Sequence, residues 1–192
     1  MAADFLVEDL EEGAVEAGNI NNNNFMDPQS ILKGKIAEDL MRELLEKNQV
    51  HVYLTSQKSL LQELEQAEAS FKWESRTGKK LSSIPDFLVF TKKAKAFFIE
   101  VKFRSDPESL EEVLLIEKEY LERYWEAKIV IVTPKEKPYF RIVSPPYFSK
   151  EKKEGWPIPV LNWLPLEDDP DLEIDPKIIK EFNKLVKQYY EK

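Results

Sequence analysis

The sequence predicts an α/β fold, a central mixed β-sheet flanked by helices, on three observations. Leu32, Ile36, Leu40, Met41, Leu44 and Leu45 recur at helical spacing early in the chain. Two adjoining runs, Phe87–Phe90 and Ala96–Phe103, have the β-branched and aromatic chemistry of strands. A further helical stretch and a β-branched run follow, so the order is helix, strands, helix, strand.

Taken in order, residues 1–27 read as a disordered acidic tail: seven acids, no Lys or Arg, and the polar run Asn21–Asn24. Asp27 suits an N-cap and Pro28 the first helical position, so a helix is expected over Pro28–Lys47. Val50–Leu54 is a short strand, and Ser59–Ala69 favours helix with a weak apolar stripe. Phe87–Phe90 and Ala96–Phe103 are joined by Thr91–Lys95, short enough for a hairpin. A helix over Pro107–Trp125 leads to a strand, Ala127–Thr133, stopped by Pro134. Tyr139–Val143 reads as a strand at a sheet edge before Pro145-Pro146. Trp156–Pro165, with three prolines and two tryptophans, is expected to lie extended over the body. An acidic linker then reaches a closing helix, Asp175–Glu191. The expected division is a tail (1–27), an α/β domain (28–145) and a C-terminal extension (146–192) packed on that domain.

Composition excludes much chemistry. The 192 residues contain no cysteine, one histidine (His51) and five glycines. Disulfides, thiolate nucleophiles and cysteine metal sites are out. His51 alone makes no paired-histidine site and is expected to be structural. No two glycines have dinucleotide-fingerprint spacing, and Gly13 and Gly18 have P-loop spacing with Asn19 where lysine should stand. Carboxylate, lysine and tyrosine chemistry remains, most naturally with a hard divalent metal. Apolar content of 42% supplies a core. No apolar run approaches the roughly 20 residues of a membrane span, and no signal peptide is visible at the start. A soluble, intracellular (cytoplasmic) protein with no membrane partner is the expectation.

Net charge is −8, but the tail carries most of it, leaving 29 acids against 28 bases beyond residue 27. Between Phe71 and Arg104, nine bases face only Glu74, Asp86 and Glu100. That basic stretch brackets an unusual group of residues. In a strand, side chains alternate, so Phe97, Ile99, Val101 and Phe103 share one face while Phe98, Glu100, Lys102 and Arg104 share the other. Glu100 and Lys102 should then lie about 6–7 Å apart, pointing the same way. Asp86 opens the neighbouring strand after Pro85 and should converge with them. Glu38 falls at the border of the apolar stripe of the first helix, and Gly34 one turn earlier leaves space beside it. Three carboxylates and a lysine at a sheet edge suit metal-assisted phosphodiester hydrolysis, in which carboxylates hold Mg²⁺ or Mn²⁺ and a lysine offsets developing phosphoryl charge.

Ile84-Pro85-Asp86, then Ile99-Glu100-Val101-Lys102, behind a helix containing Gly34-Lys35-Ile36-Ala37-Glu38, resembles the PD-(D/E)xK nuclease superfamily. The run Leu32–Leu40 is most similar to archaeal Holliday-junction resolvases. The resemblance covers about residues 28–133 and implies a restriction-endonuclease-like core, here with an extra C-terminal helix. It implies Asp86, Glu100 and the Val101 carbonyl as metal ligands, with Lys102 serving the nucleophilic water. Glu38 takes the helix-borne acid position, helping to hold metal or water. A Gln-x-x-x-Tyr motif found in one subgroup is absent, Ile116 and Tyr120 standing four before Tyr120 and Tyr124.

The expected function is therefore a Mg²⁺- or Mn²⁺-dependent DNA endonuclease, with branched DNA a favoured substrate and RNA left open. Lys79 and Lys80, after Gly78, read as a phosphate-gripping loop, with Lys33, Lys35 and Arg104 as further phosphate contacts. A homodimer is compatible with this reading. For the acidic tail, an inert solvating segment, a protein-binding segment and a DNA mimic all stand open. The rival is a catalytically silent nucleic-acid-binding or assembly protein of the same fold. A carboxylate-pair glycosidase is remoter, because Lys102 and the surrounding bases serve no purpose there.

Overall fold

In the computed structural model, the residues described are 27–55, 75–111, 113–114, 125–149 and 156–190. They form α1 (Pro28–Lys47), β1 (His51–Leu54), α2 (Arg76–Ser82), β2 (Phe87–Phe90), β3 (Ala96–Phe103), β4 (Lys128–Val132) and β5 (Phe140–Val143). Three two-residue strands follow, β6 (Phe148–Ser149), β7 (Trp156–Pro157) and β8 (Leu164–Pro165), before α3 (Pro176–Tyr190). The tail before Asp27 and the helix expected over Ser59–Ala69 lie outside the described residues.

The expected α/β class holds. Six strands make one open mixed sheet in the order β1-β2-β3-β4-β5-β8. Only β3 and β4 run parallel, with Ile99 opposite Lys128 and Phe103 opposite Val132. Parallel neighbours need a crossover, and the chain between them is helical at 109–111 and 113–114. The remainder of the helix expected up to Trp125 lies outside the described residues, apart from Trp125 itself.

The caps explain α1. Asp27 accepts from the Gln29 amide at 3.3 Å, and Pro28 needs no amide partner in the first turn. Its stripe of Ala37, Leu40, Met41, Leu44 and Leu45 is buried. It packs with Phe182 and Val186 of α3 on Val89, Ile99, Val101, Val130 and Ile142 of the sheet. The opposite face holds a second core, in which Leu110 and Leu114 cover Ile129, Ile131 and Val143, with Val160 and Trp163 from the C-terminal third. The alternation expected in β3 is thereby realised, with Ile99 and Val101 inside the first core and Glu100 and Lys102 on the other face.

Two expectations are corrected, and the acidic linker gains an anchor. β5 is not an edge, because β8 pairs with it through Arg141–Pro165 and Ile142–Leu164. The segment from Trp156 to Pro165 is not merely extended. It contributes two short strands and a 3-10 turn at Val160–Asn162, with Val160 and Trp163 buried. The acidic linker is anchored: Lys128 donates to Asp169 at 2.7 Å and to Asp171 at 2.7 Å, and both Lys128 and Asp169 are buried. No helix among the described residues is long and apolar enough to cross a membrane.

Candidate functional site

The site follows from a mismatch in strand length. β3 has eight residues and β2 only four, and their ladder ends at Phe87 opposite Ile99. Residues 100–103 of β3 therefore continue past β2, still paired with β4 on the other side. The chain fills that gap with a side chain: Asp86 Oδ2 accepts the Val101 amide at 2.7 Å. In an antiparallel ladder a residue sends its amide and carbonyl to the same side, so the Val101 carbonyl also opens toward Asp86.

Asp86 is held from behind. The Thr55 amide donates to the Asp86 carbonyl at 3.1 Å, and the Thr55 hydroxyl donates to the Pro85 carbonyl. Thr55 was not singled out in the sequence, where it stands thirty residues away with no local motif. On the far side, Lys102 Nζ lies 2.8 Å from Glu100 Oε1, both side chains being less than a fifth exposed. The same-face placement expected for these two residues is realised as an ion pair. A wall flanks them: Trp125 sits edge-on to Phe98 at 5.2 Å, and its indole donates to Ser83 at 3.2 Å.

Electrostatics bind the four residues into one group. The Asp86 carboxyl is pushed up to about 8, first by burial and then by the Glu100 charge. The Val101 hydrogen bond and the Lys102 charge work against that rise, while Glu38 adds to it. Glu38 thus feels the group from α1, about a third exposed, with Lys35 Nζ 3.1 Å from its carboxylate. Among the described residues no group of three or more His, Cys, Asp or Glu side chains is gathered at metal-holding distance. The donor set that is together is two carboxylates and a backbone carbonyl. A pair of acids crowded enough to hold a proton near neutrality, against one lysine, is chemistry that a hard dication relieves.

The expected phosphate contacts separate. Lys33 is half-buried at the α1 flank, and its carbonyl accepts the Tyr190 hydroxyl at 2.9 Å. Lys35 is spent partly on Glu38 and on Asp39, at 3.1 and 3.7 Å. Arg104 donates to the Phe103 carbonyl at 2.7 Å. Gly78, Lys79 and Lys80 are not a loop but lie inside α2, where the Gly78 amide donates to Ser75 at 3.1 Å. Lys80 is exposed there. The basic stretch also divides: Lys93 and Lys95 pair with Glu173 and Asp171 at the hairpin end of β3. Seven residues of strand put Lys95 about 23 Å from Lys102. His51 is exposed on β1 and, with Glu46, Gln49, Tyr53 and Lys92, lines a shallow depression. A scan against models of protein families and a search of curated proteins return no match.

Proposed function

We propose that the chain is a metal-dependent nuclease of the PD-(D/E)xK type with a restriction-endonuclease-like core, cleaving DNA, branched DNA in particular. The observation that carries the reading is the half-buried Asp86 carboxyl, fixed on the Val101 amide beside Glu100, with Lys102 at hand. Asp86, Glu100 and the Val101 carbonyl would hold Mg²⁺ or Mn²⁺, with Glu38 as the fourth contributor. When bound, the ion supplies Lewis-acid activation of the phosphoryl group and of a water.

The other work falls to the chain. Lys102 orients the attacking water and balances negative charge growing on the phosphoryl oxygens. Glu100, in ion-pair contact with Lys102, positions that ammonium. Thr55 fixes the Asp86 backbone, and the Phe98–Trp125 wall limits water on one side. Lys33, Lys35, Lys79, Lys80 and Arg104 are the proposed backbone contacts, of which Lys33 and Lys35 share a helix with Glu38.

Cleavage of single-stranded, duplex and four-way-junction DNA, with Mg²⁺ or Mn²⁺, tests the reading beside Asp86→Ala and Lys102→Ala. Metal-dependent cutting that both substitutions abolish is expected; full activity of Asp86→Ala refutes it. A binding-only protein of the same fold is the second reading, favoured by Glu100 and Glu38 already having lysine partners. Calorimetric titration with Mn²⁺ separates them, since only the nuclease has a site that Asp86→Ala removes.

A further inference from the structure

We propose that β1 is a self-association edge, to which a second copy of this chain adds its own β1 antiparallel, joining two sheets into one. The pairing stands apart from the nuclease reading; only its consequence for cleavage rests on that reading. β1 is an edge of the six-stranded sheet, and its ladder with β2 decides which of its groups face outward. The Thr55 amide donates to the Asp86 carbonyl at 3.1 Å, in the register that sets Tyr53 opposite Leu88 and His51 opposite Phe90. Alternate residues of an antiparallel strand turn their amide and carbonyl to opposite sides. His51, Tyr53 and Thr55 therefore bond toward β2, while Val52 and Leu54 present theirs to the free side. Among the described residues nothing hydrogen-bonds to those outward groups.

An exposed edge is normally protected by lysine, by proline or by being very short. The opposite edge is: β8 has two residues, the second of them Pro165. β1, His51-Val52-Tyr53-Leu54, contains no proline, lysine, arginine or acid. Its surroundings are bare apolar surface, with Tyr53 57%, Leu54 54% and Phe90 39% exposed. The Tyr53 and Phe90 rings meet edge-on at 5.6 Å. A depression of about 590 Å³ lies along the strand, lined by residues 49–53 with Glu46 and Lys92, and gives another strand room to approach.

The occupant follows from the symmetry of the outward groups. Val52 and Leu54 stand two residues apart, so a two-fold axis at Tyr53 sets Val52 against the partner's Leu54, and Leu54 against the partner's Val52. Every outward amide then finds an outward carbonyl. On the axis, Tyr53 meets the partner's Tyr53 in a non-hydrogen-bonded pair, where side chains approach most closely. The strand is uncharged, so no like charges meet there. The patch is its own complement, as an isologous interface requires. Such an axis is perpendicular to the sheet and preserves its faces. Through Leu88 and Phe98, Tyr53 shares the face of Glu100 and Lys102. Strand spacing and rise then put the two carboxylate groups about 25–30 Å apart on one face. One DNA molecule can meet both, so cuts should come in pairs.

Analytical ultracentrifugation of the full chain in EDTA, over about 1–100 μM, tests the pairing, and a dimer is expected. Tyr53→Lys sets two ammonium groups against each other on the axis and should raise the dissociation constant about tenfold or more. Tyr53→Glu should do the same with two carboxylates. Mixed in equal amounts, the two variants should dimerise again, because each lysine then faces a glutamate. That recovery also shows that both variants fold. A native chain that stays monomeric would overturn the proposal. So would a dimer indifferent to Tyr53→Lys, or a mixture that stays dissociated while circular dichroism shows both variants folded. Cleavage that Asp86→Ala abolishes, in a chain that stays monomeric, would refute the pairing alone. A dimer broken by Tyr53→Lys and restored by mixing, without metal-dependent cleavage, would refute the nuclease alone.

Discussion

Asp86 binds its proton in a range where an aspartate of the unfolded chain has lost it, because its carboxyl is pushed up to about 8. The folded state then holds more protons than the unfolded state between pH ~4 and ~8, so stability falls as pH rises through that window and levels off above it. Asp86→Asn keeps an acceptor for the Val101 amide and carries no charge. It should therefore flatten this slope and raise the unfolding free energy by about 2 kcal/mol or more above pH 8, read by urea denaturation in EDTA. An unchanged slope would assign the pH dependence to another group. Gly34 gives a second prediction at this scale. An added Cβ there meets nothing within 4 Å, so Gly34→Ala should stabilise α1 by up to about 1 kcal/mol. If the space beside Glu38 receives substrate, the same variant loses cleavage while its melting temperature rises; retained cleavage would show that the space is unused. The trio Asp86, Glu100 and Lys102 was legible in the sequence because strand alternation fixes which side chains share a face. Thr55 was not, because its role is a pair of hydrogen bonds across a strand pairing that no local pattern announces.

At the scale of elements, the best-read segment is α1, where the cap, the proline and the stripe agree. α2 was misread because glycine and lysines look like a loop, whereas Ser75 supplies an N-cap and turns the same residues into helix. β5 was misread as an edge because its partner, β8, has only two residues, one of them Pro165. The acidic linker holds the most instructive contact. Lys128 begins β4, lies 4.7 Å above the Phe97 ring and reaches both Asp169 and Asp171. Burying this ammonium among carboxylates anchors the C-terminal third to the sheet, and removing it leaves the Asp169 carboxyl, 3% exposed, without its cation. Lys128→Met should cost about 3–5 kcal/mol, measured by chemical denaturation, with Asp169→Asn in the same background recovering part of the loss. The pH dependence of this cluster has the opposite sign to that of Asp86. Hydrogen bonds from Lys128 and Lys95 lower the Asp171 carboxyl to about 2, so its contribution is present above pH ~4 and is lost as pH falls toward 2. Asp171→Asn should remove that acid-side loss while leaving the slope from pH 5 to 8 untouched.

Across the whole molecule, charge is sorted by location in a way that a count along the chain does not reveal. The basic stretch from Phe71 to Arg104 looked like one surface around the carboxylates. Folding sends Lys93 and Lys95 to the hairpin end, where the acids of the C-terminal third pair with them, and leaves Lys102 and Arg104 at the other. Sequence proximity misled here because an extended strand separates its ends further than any other element of equal length. What stays at the carboxylate end is a crowded pair of acids, and this makes stability a direct readout of metal binding. An ion that binds only the folded state at 100 times its dissociation constant should raise the unfolding free energy by about 2.7 kcal/mol. Asp86 must give up its proton to ligate, so below pH 8 binding should release about one proton and weaken about tenfold per pH unit. Thermal melts in Mn²⁺ at pH 6, 7 and 8, with calorimetry in two buffers of different ionisation enthalpy, measure both quantities. The stabilisation should grow with pH, and Asp86→Ala should abolish it together with the released proton. Stabilisation that persists in Asp86→Ala would place the ion elsewhere and remove the physical basis for assigning catalysis to this end of the sheet.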